Sequence, residues 1–190
     1  MYIYNMTFGE ALDSSVVNKY KTFGGRACRA EWYYFHIFYI LITILVALVG
    51  SLIATISIFA DPYLSAQLDD LPADESTQLL LELYFEEERE IMIYPQVVVY
   101  LLFFLPAISV TVRRLQDLNI TYFWALPYFI TYIISIYTLI VFDGSEDYQI
   151  NYQDINAINT IVFLVYVLLF AKKGSYKNNR FGKNPLEKES

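Results

Sequence analysis

The sequence predicts an all-α integral membrane protein with four transmembrane helices. Three observations carry that reading: four long apolar runs, run lengths that match a bilayer, and charge sorted by sign between the connecting segments. Residues 33–59, 91–112, 122–142 and 155–171 contain no Asp, Glu, Lys or Arg. A bilayer core of about 30 Å takes roughly 20 apolar residues of helix. The first run exceeds that length and has room to tilt or protrude. The second and third fit it directly. The fourth is short and opens on Asn156 and Asn159, so a buried or re-entrant segment is its alternative reading.

Charge orients the spans. The net charge of −7 divides into two faces. Residues 1–31, 113–121 and 172–190 hold 12 of the 13 Lys and Arg but only 6 of the 20 Asp and Glu, a balance of +6. Residues 60–90 and 143–154 hold 14 acids and one base, Arg89, a balance of −13. Basic segments beside helix ends stay in the cytoplasm. Both termini are therefore expected inside, with two acidic loops outside. The fourth span is required to bring the tail with Lys172, Lys173, Lys177, Arg180, Lys183 and Lys188 back to that side. Trp32 and Trp124 fall at inner helix ends, where interfacial rings belong.

The expected organisation is a cytoplasmic amphipathic segment (1–31), a four-helix membrane domain (32–171) and a basic cytoplasmic tail (172–190). The first 31 residues are polar and mixed in charge, and the run after them is too long for a signal-peptide core. It is expected to stay as an anchor. The one cysteine, Cys28, excludes an intrachain disulfide and is expected on the reducing side.

Each element has a local cause. Thr7 and Glu10 stand at capping-box spacing, and Phe8, Leu12, Val16 and Tyr20 repeat every four residues. They predict an interfacial helix over 7–20, laid either on lipid or on the protein's own cytoplasmic surface. In the first span, Ala47, Gly50, Ser51, Ala54 and Thr55 form a small-residue stripe. It admits a close backbone, from this chain or from a second copy. Pro95 is expected to start the second span and Pro106 to kink it. Pro127 falls in the first turns of the third span, where proline is tolerated. After Pro72, Asp74 or Ser76 caps a second helix, with Leu79, Leu80, Leu83 and Tyr84 on one face and Glu86, Glu87, Glu88 and Glu90 following. That acidic outer-loop helix has room to run continuously up to Pro95, and its charge run reads as a solvated face rather than a cation site.

Several chemistries find no support. His36 is the only histidine, has no partner at ligand spacing, and is expected at an interface. No nucleophile elbow, phosphate loop or dinucleotide fingerprint occurs, and no cofactor is implied. The spans carry none of the four charged residue types that mark ion and proton paths. Nucleic-acid binding is not expected, because the bases hug helix ends.

A polar cluster remains on the expected cytoplasmic face, built from residues 23–32 (FGGRACRAEW), 112–117 (VRRLQD) and 178–185 (NNRFGKNP). All three segments share one membrane depth. Arg26, Arg29, Glu31, Arg113, Arg114, Asp117, Asn179 and Arg180 are thus expected to converge on one surface site. Asp117 stands four residues after Arg113 and three after Arg114, within pairing reach of either. Five arginines against two acids leave +3, which suits an anionic lipid headgroup or a phosphate held by guanidinium. The alternative is a set of topology signals locked in structural ion pairs.

The same three segments resemble domain-of-unknown-function family 805, the YhaH-type small bacterial inner-membrane proteins. In order and spacing the resemblance covers most of residues 16–185. It departs where Gln116 replaces a usual histidine and where residues 118–123 replace most of a glycine-rich turn. The resemblance implies a helical fold in a bacterial inner membrane and supplies no activity. The expected function is non-enzymatic: a membrane protein whose Arg/Asp cluster binds anionic phospholipid or a protein partner. A channel or transporter subunit formed by homo-oligomers is the alternative. An enzyme acting on a lipid-linked substrate through Glu31 or Asp117 is the second.

Overall fold

The computed structural model describes residues 6–61, 63–64, 71–141, 146–175 and 177–185, with side chains for all of these except 146–152. Of the segments named above, residues 1–5, 65–70, 142–145 and the tail beyond 185 with Lys188 lie outside the described residues. The elements are α1 (Phe8–Leu12), a π-helical segment (Asp13–Asn18), α2 (Arg29–Ala60), α3 (Ala73–Asp117), a 3-10 turn (Tyr122–Ala125), α4 (Leu126–Val141) and α5 (Glu146–Phe170). Among the described residues the fold is all-α. The segments Arg29–Ala60, Ala73–Asp117, Tyr122–Val141 and Gln153–Phe170 are each long and apolar enough to cross a membrane. By that length and composition the chain is a multi-pass membrane protein.

The chain forms two compact units, Met1–Tyr39 with Tyr100–Ser190, and Ile40–Val99. In the second unit the small-residue stripe of α2 is used within the chain. Ala54 is fully buried, and a Cβ at Gly50 would overlap the Met92 side chain of α3. Ser51 and Ser57 donate hydroxyls to Glu88 and Glu87 of α3. Two glutamates of the acidic run are thus bonded to α2 rather than only solvated.

Helix α3 corrects one boundary. Pro95 does not start it; the helix runs unbroken through Pro95 and Pro106. Its 45 residues span about 68 Å at 1.5 Å per residue, more than twice an apolar bilayer core. The acidic helix after Pro72 and the second span are one element. Proline inside a helix frees the carbonyl four residues back, and neighbours can re-satisfy it. For Pro106 that carbonyl belongs to Leu102, and the Tyr20 hydroxyl donates to it at 2.6 Å.

The core of the first unit is aromatic. Trp32, Phe35, Tyr128, Tyr132, Tyr166 and Phe170 are buried together with Ala107, Val110 and Leu115. Trp32 is no interfacial ring: it is fully buried, and its indole N–H donates to Thr111 at 3.1 Å. His36 is buried as well, one turn further along α2. Its Nδ1 lies 2.8 Å from the Trp32 carbonyl, which only accepts, so Nδ1 carries the proton. Nε2 then accepts from the Tyr128 hydroxyl at 2.8 Å. Both rings were placed at an interface by position along the helix; neighbouring helices enclose them instead. Trp124 remains 65% exposed.

The N-terminal segment packs on this unit. The Thr7–Glu10 capping box forms. The helix then widens at Asp13, where Lys19 N–H reaches the Ser14 carbonyl and Asn18 reaches the Asp13 carboxylate, both five residues back. Besides Tyr20 on Leu102, the Lys19 carbonyl accepts from Ser109 at 3.1 Å.

Candidate functional site

The polar cluster sits where α3 and α5 end. A helix C-terminus leaves its last carbonyls without intrahelical partners and carries partial negative charge. Helix α3 ends on Asn119 in the left-handed region (φ 63°). Asn119 N–H bonds the Gln116 carbonyl and Ile120 N–H the Leu115 carbonyl, the double closure of a Schellman motif. Asn119 therefore takes the backbone conformation that a glycine turn would supply. Other α3 carbonyls are met by distant segments. Ala27 N–H donates to Arg113, Ser175 N–H to Asp117, and the Asn179 side-chain amide to Gln116 at 2.8 Å. Three sequence segments are stitched together by backbone before any charge is considered.

Arginines complete the closure. Arg26 pairs with Asp117 at 2.7 Å and donates to the carbonyls of Lys177 and Ser175. A longer bond of 3.4 Å reaches Gly182. Arg114 pairs with the other oxygen of Asp117 and donates to the carbonyls of Phe170, Lys172 and Ala27. Asp117 thus bridges two guanidiniums, while backbone oxygens at the end of α5 and in the tail take most of the remaining donors; Arg114 Nε meets no partner among the described residues. Gly174 fits against this carboxylate so closely that a Cβ there would overlap it.

Arg113 turns the other way. It pairs with Glu31 at 2.5 Å, and Glu31 Oε1 also accepts the Ser14 hydroxyl at 2.9 Å. Arg113 and Glu31 are fully buried.

The geometry separates the eight cluster residues by exposure. Arg26, Glu31, Arg113, Arg114 and Asp117 are buried, so the expected surface site is in these five an interior one. Their excess of one positive charge faces carbonyls from two converging helix C-termini, which makes three arginines tolerable beside two carboxylates. Asn179 is half-buried, while Arg29 and Arg180 are exposed. Arg29 donates to the Ala171 carbonyl at 3.4 Å. Arg180 donates to the Asn119 carbonyl at 3.3 Å and lies 4.7 Å from the Phe181 ring centre. Cys28 is buried with its Sγ 3.7 Å from Met6 Sδ, and burial pushes its thiol pKa up. Ser14 and Gly174 are members of the arrangement that sequence reading missed. Gly174 had a signal, a glycine just past a helix end; Ser14 had none.

Elsewhere, a cavity of about 230 Å³ in the second unit is lined by Ser57, Asp61, Tyr63, Leu83 and Glu87 among others. Among the described residues no group of three or more His, Cys, Asp or Glu is placed to hold a metal ion.

A family model described as protein of unknown function (DUF805) matches residues 20–183. The chain belongs to this family. No curated protein and no solved structure matches it. The DUF805 match takes in all eight cluster residues and both helix ends that hold them. It begins after the π-helical segment, so Ser14 lies outside it.

Proposed function

We propose that the protein is a non-enzymatic component of a bacterial inner membrane whose cytoplasmic rim holds anionic phospholipid headgroups around a buried arginine clasp. One observation carries this reading: the buried arginines point inward to Asp117, Glu31 and backbone carbonyls, while Arg29, Lys172, Lys173, Lys177 and Arg180 stay exposed around the same helix ends. Arg29 meets Ala171 directly, beside Lys172 and Lys173. Basic residues at this depth attract anionic lipid by about 1 kcal/mol each. Their apolar stems lie along the helix while their heads reach phosphate.

Orientation is part of the proposal and has its own check. In whole cells of a Cys28→Ser background, Thr77→Cys is expected to react with an impermeant thiol reagent and Lys173→Cys to be protected. The reverse pattern sinks the orientation. For lipid binding, native mass spectrometry from mixed micelles should show retained phosphatidylglycerol in preference to phosphatidylcholine, along with the oligomeric state. Changing Arg29, Lys172 and Lys173 together to Glu should abolish that preference at an unchanged melting temperature. Equal retention of both lipids by the unmodified protein would refute the rim.

A further inference from the structure

Most buried polar groups in proteins find a partner. Arg113 Nε and Nη2 and Glu31 Oε2 are buried and meet no hydrogen-bond partner among the described residues. Nε and Nη2 lie on one edge of the planar guanidinium, the edge that takes two oxygens of a phosphate side-on. Glu31 Oε2 asks for the opposite, a donor. The pair itself is one cation and one anion held at 2.5 Å. A complementary ligand therefore offers two acceptor oxygens and one donor, and carries no net charge, since burying an unbalanced charge is costly.

We infer that the Glu31–Arg113 pair is a second ligand subsite, specific for an ethanolamine phosphate group: its phosphate oxygens on Arg113 and its ammonium on Glu31. The chemistry is shared by a phosphatidylethanolamine headgroup and by soluble glycerophosphoethanolamine, both phosphodiesters with one negative charge and one ammonium. Choline phosphate has the same charges but no N–H, so it satisfies Arg113 and leaves Glu31 Oε2 unmet. The site differs from the exposed rim in wanting a zwitterion rather than an anion, and it stands whether or not the rim binds lipid.

Its cover is the N-terminal segment. Leu102, Pro106, Ser109 and Arg113 recur at three- and four-residue spacing along one stripe of α3. The segment crosses that stripe through Tyr20 on the Leu102 carbonyl, the Lys19 carbonyl on Ser109, and Ser14 on Glu31. A headgroup reaches the pair by lifting this segment, whose π-helical turn places Ser14 on the shared Glu31 oxygen.

The full-length protein in detergent is titrated with phosphatidylethanolamine, phosphatidylcholine and phosphatidylglycerol, and separately with soluble glycerophosphoethanolamine, and bound ligand is read by native mass spectrometry. The expected result is a preference for ethanolamine over choline lipid of about tenfold, equivalent to about 1.4 kcal/mol. Glu31→Gln removes the carboxylate that meets the ammonium and is expected to erase the preference. Arg113→Lys removes the two-donor edge and is expected to weaken both lipids alike, and Glu82→Gln, exposed on α3, is expected to change neither. Binding of soluble glycerophosphoethanolamine as tightly as the lipid assigns a soluble ligand; binding of the lipid alone assigns the headgroup. No ethanolamine-over-choline preference in the unmodified protein overturns the inference, whatever the variants do. A preference that survives in a folded Glu31→Gln protein overturns it too. Loss of the phosphatidylglycerol preference alone would count only against the rim.

Discussion

Arg113 and Arg114 are neighbours in the chain, both fully buried, and each faces one carboxylate. Their surroundings differ in backbone. Arg114 points to where α5 ends and finds the carbonyls of Phe170, Lys172 and Ala27 beside Asp117. Arg113, about 100° further round the helix, points to the N-terminal segment and finds Glu31 alone. A helix C-terminus is a ready-made acceptor for a cation; a packed helix flank offers none. Arg114 is therefore a fastening, with only its Nε left unmet, while Arg113 keeps both Nε and Nη2 in hand. The contrast shows that burial alone does not make a charged pair structural. What decides is how many of its donors the fold supplies with acceptors.

The largest test acts on the fastening. Asp117 is the one carboxylate serving both Arg26 and Arg114. Removing one partner of a buried pair costs about 3–5 kcal/mol because a charge is left uncompensated. Asp117→Ala should lower stability by at least that much, read by Trp32 fluorescence in a Trp124→Phe background during denaturation in detergent. Cys28 gives a second readout. Its thiol is buried and its pKa raised, so the thiolate fraction at neutral pH is below that of an exposed cysteine. Alkylation at pH 7–8 should be slow in the native protein, faster at higher pH, and markedly faster in Asp117→Ala. Rapid alkylation of the unmodified protein would show that the clasp is open in solution.

Gly174→Ala is a smaller push on the same group. The new methyl would overlap the Asp117 carboxylate, and overpacking of this kind costs about 1–3 kcal/mol. Gly24→Ala is the control, because no atom lies within 4 Å of a Cβ there. Equal melting temperatures for the two variants would mean that the tail is not seated against Asp117.

The spans were legible in the sequence because apolar runs of bilayer length have few other uses. The approach of the three basic segments was legible from topology, since one helix starts and another ends at the same depth. The interior placement of the arginines was not legible. It depends on backbone carbonyls, and carbonyls leave no residue signature. Trp32 and His36 were misplaced for a related reason: helix position gives depth, not whether neighbours such as Phe163 and Tyr128 close over a ring. The unbroken α3 was hidden by Pro95, which marks a helix start only where no neighbouring structure tolerates it inside. The Tyr20–Pro106 relation could have been sought, because a proline within a span always frees one carbonyl, but the donor's identity required the fold.

That relation supplies the smallest and most selective test. Tyr20→Phe deletes only the hydroxyl that meets the carbonyl freed by Pro106. A neutral hydrogen bond contributes about 1 kcal/mol, so the global melting temperature should move little. The effect should instead be local, because the N-terminal segment is held to α3 by few polar contacts, of which Tyr20 on Leu102 and Lys19 on Ser109 lie outside the Glu31 node. Hydrogen exchange should quicken over residues 8–20 while the end of α3 near Asp117 keeps its protection. If both regions quicken together, the cover and the clasp are one cooperative unit, and the distinction between Arg113 and Arg114 is lost. If neither changes, Ser14 on Glu31 holds the segment without help, and Ser14→Ala becomes the variant that must release it.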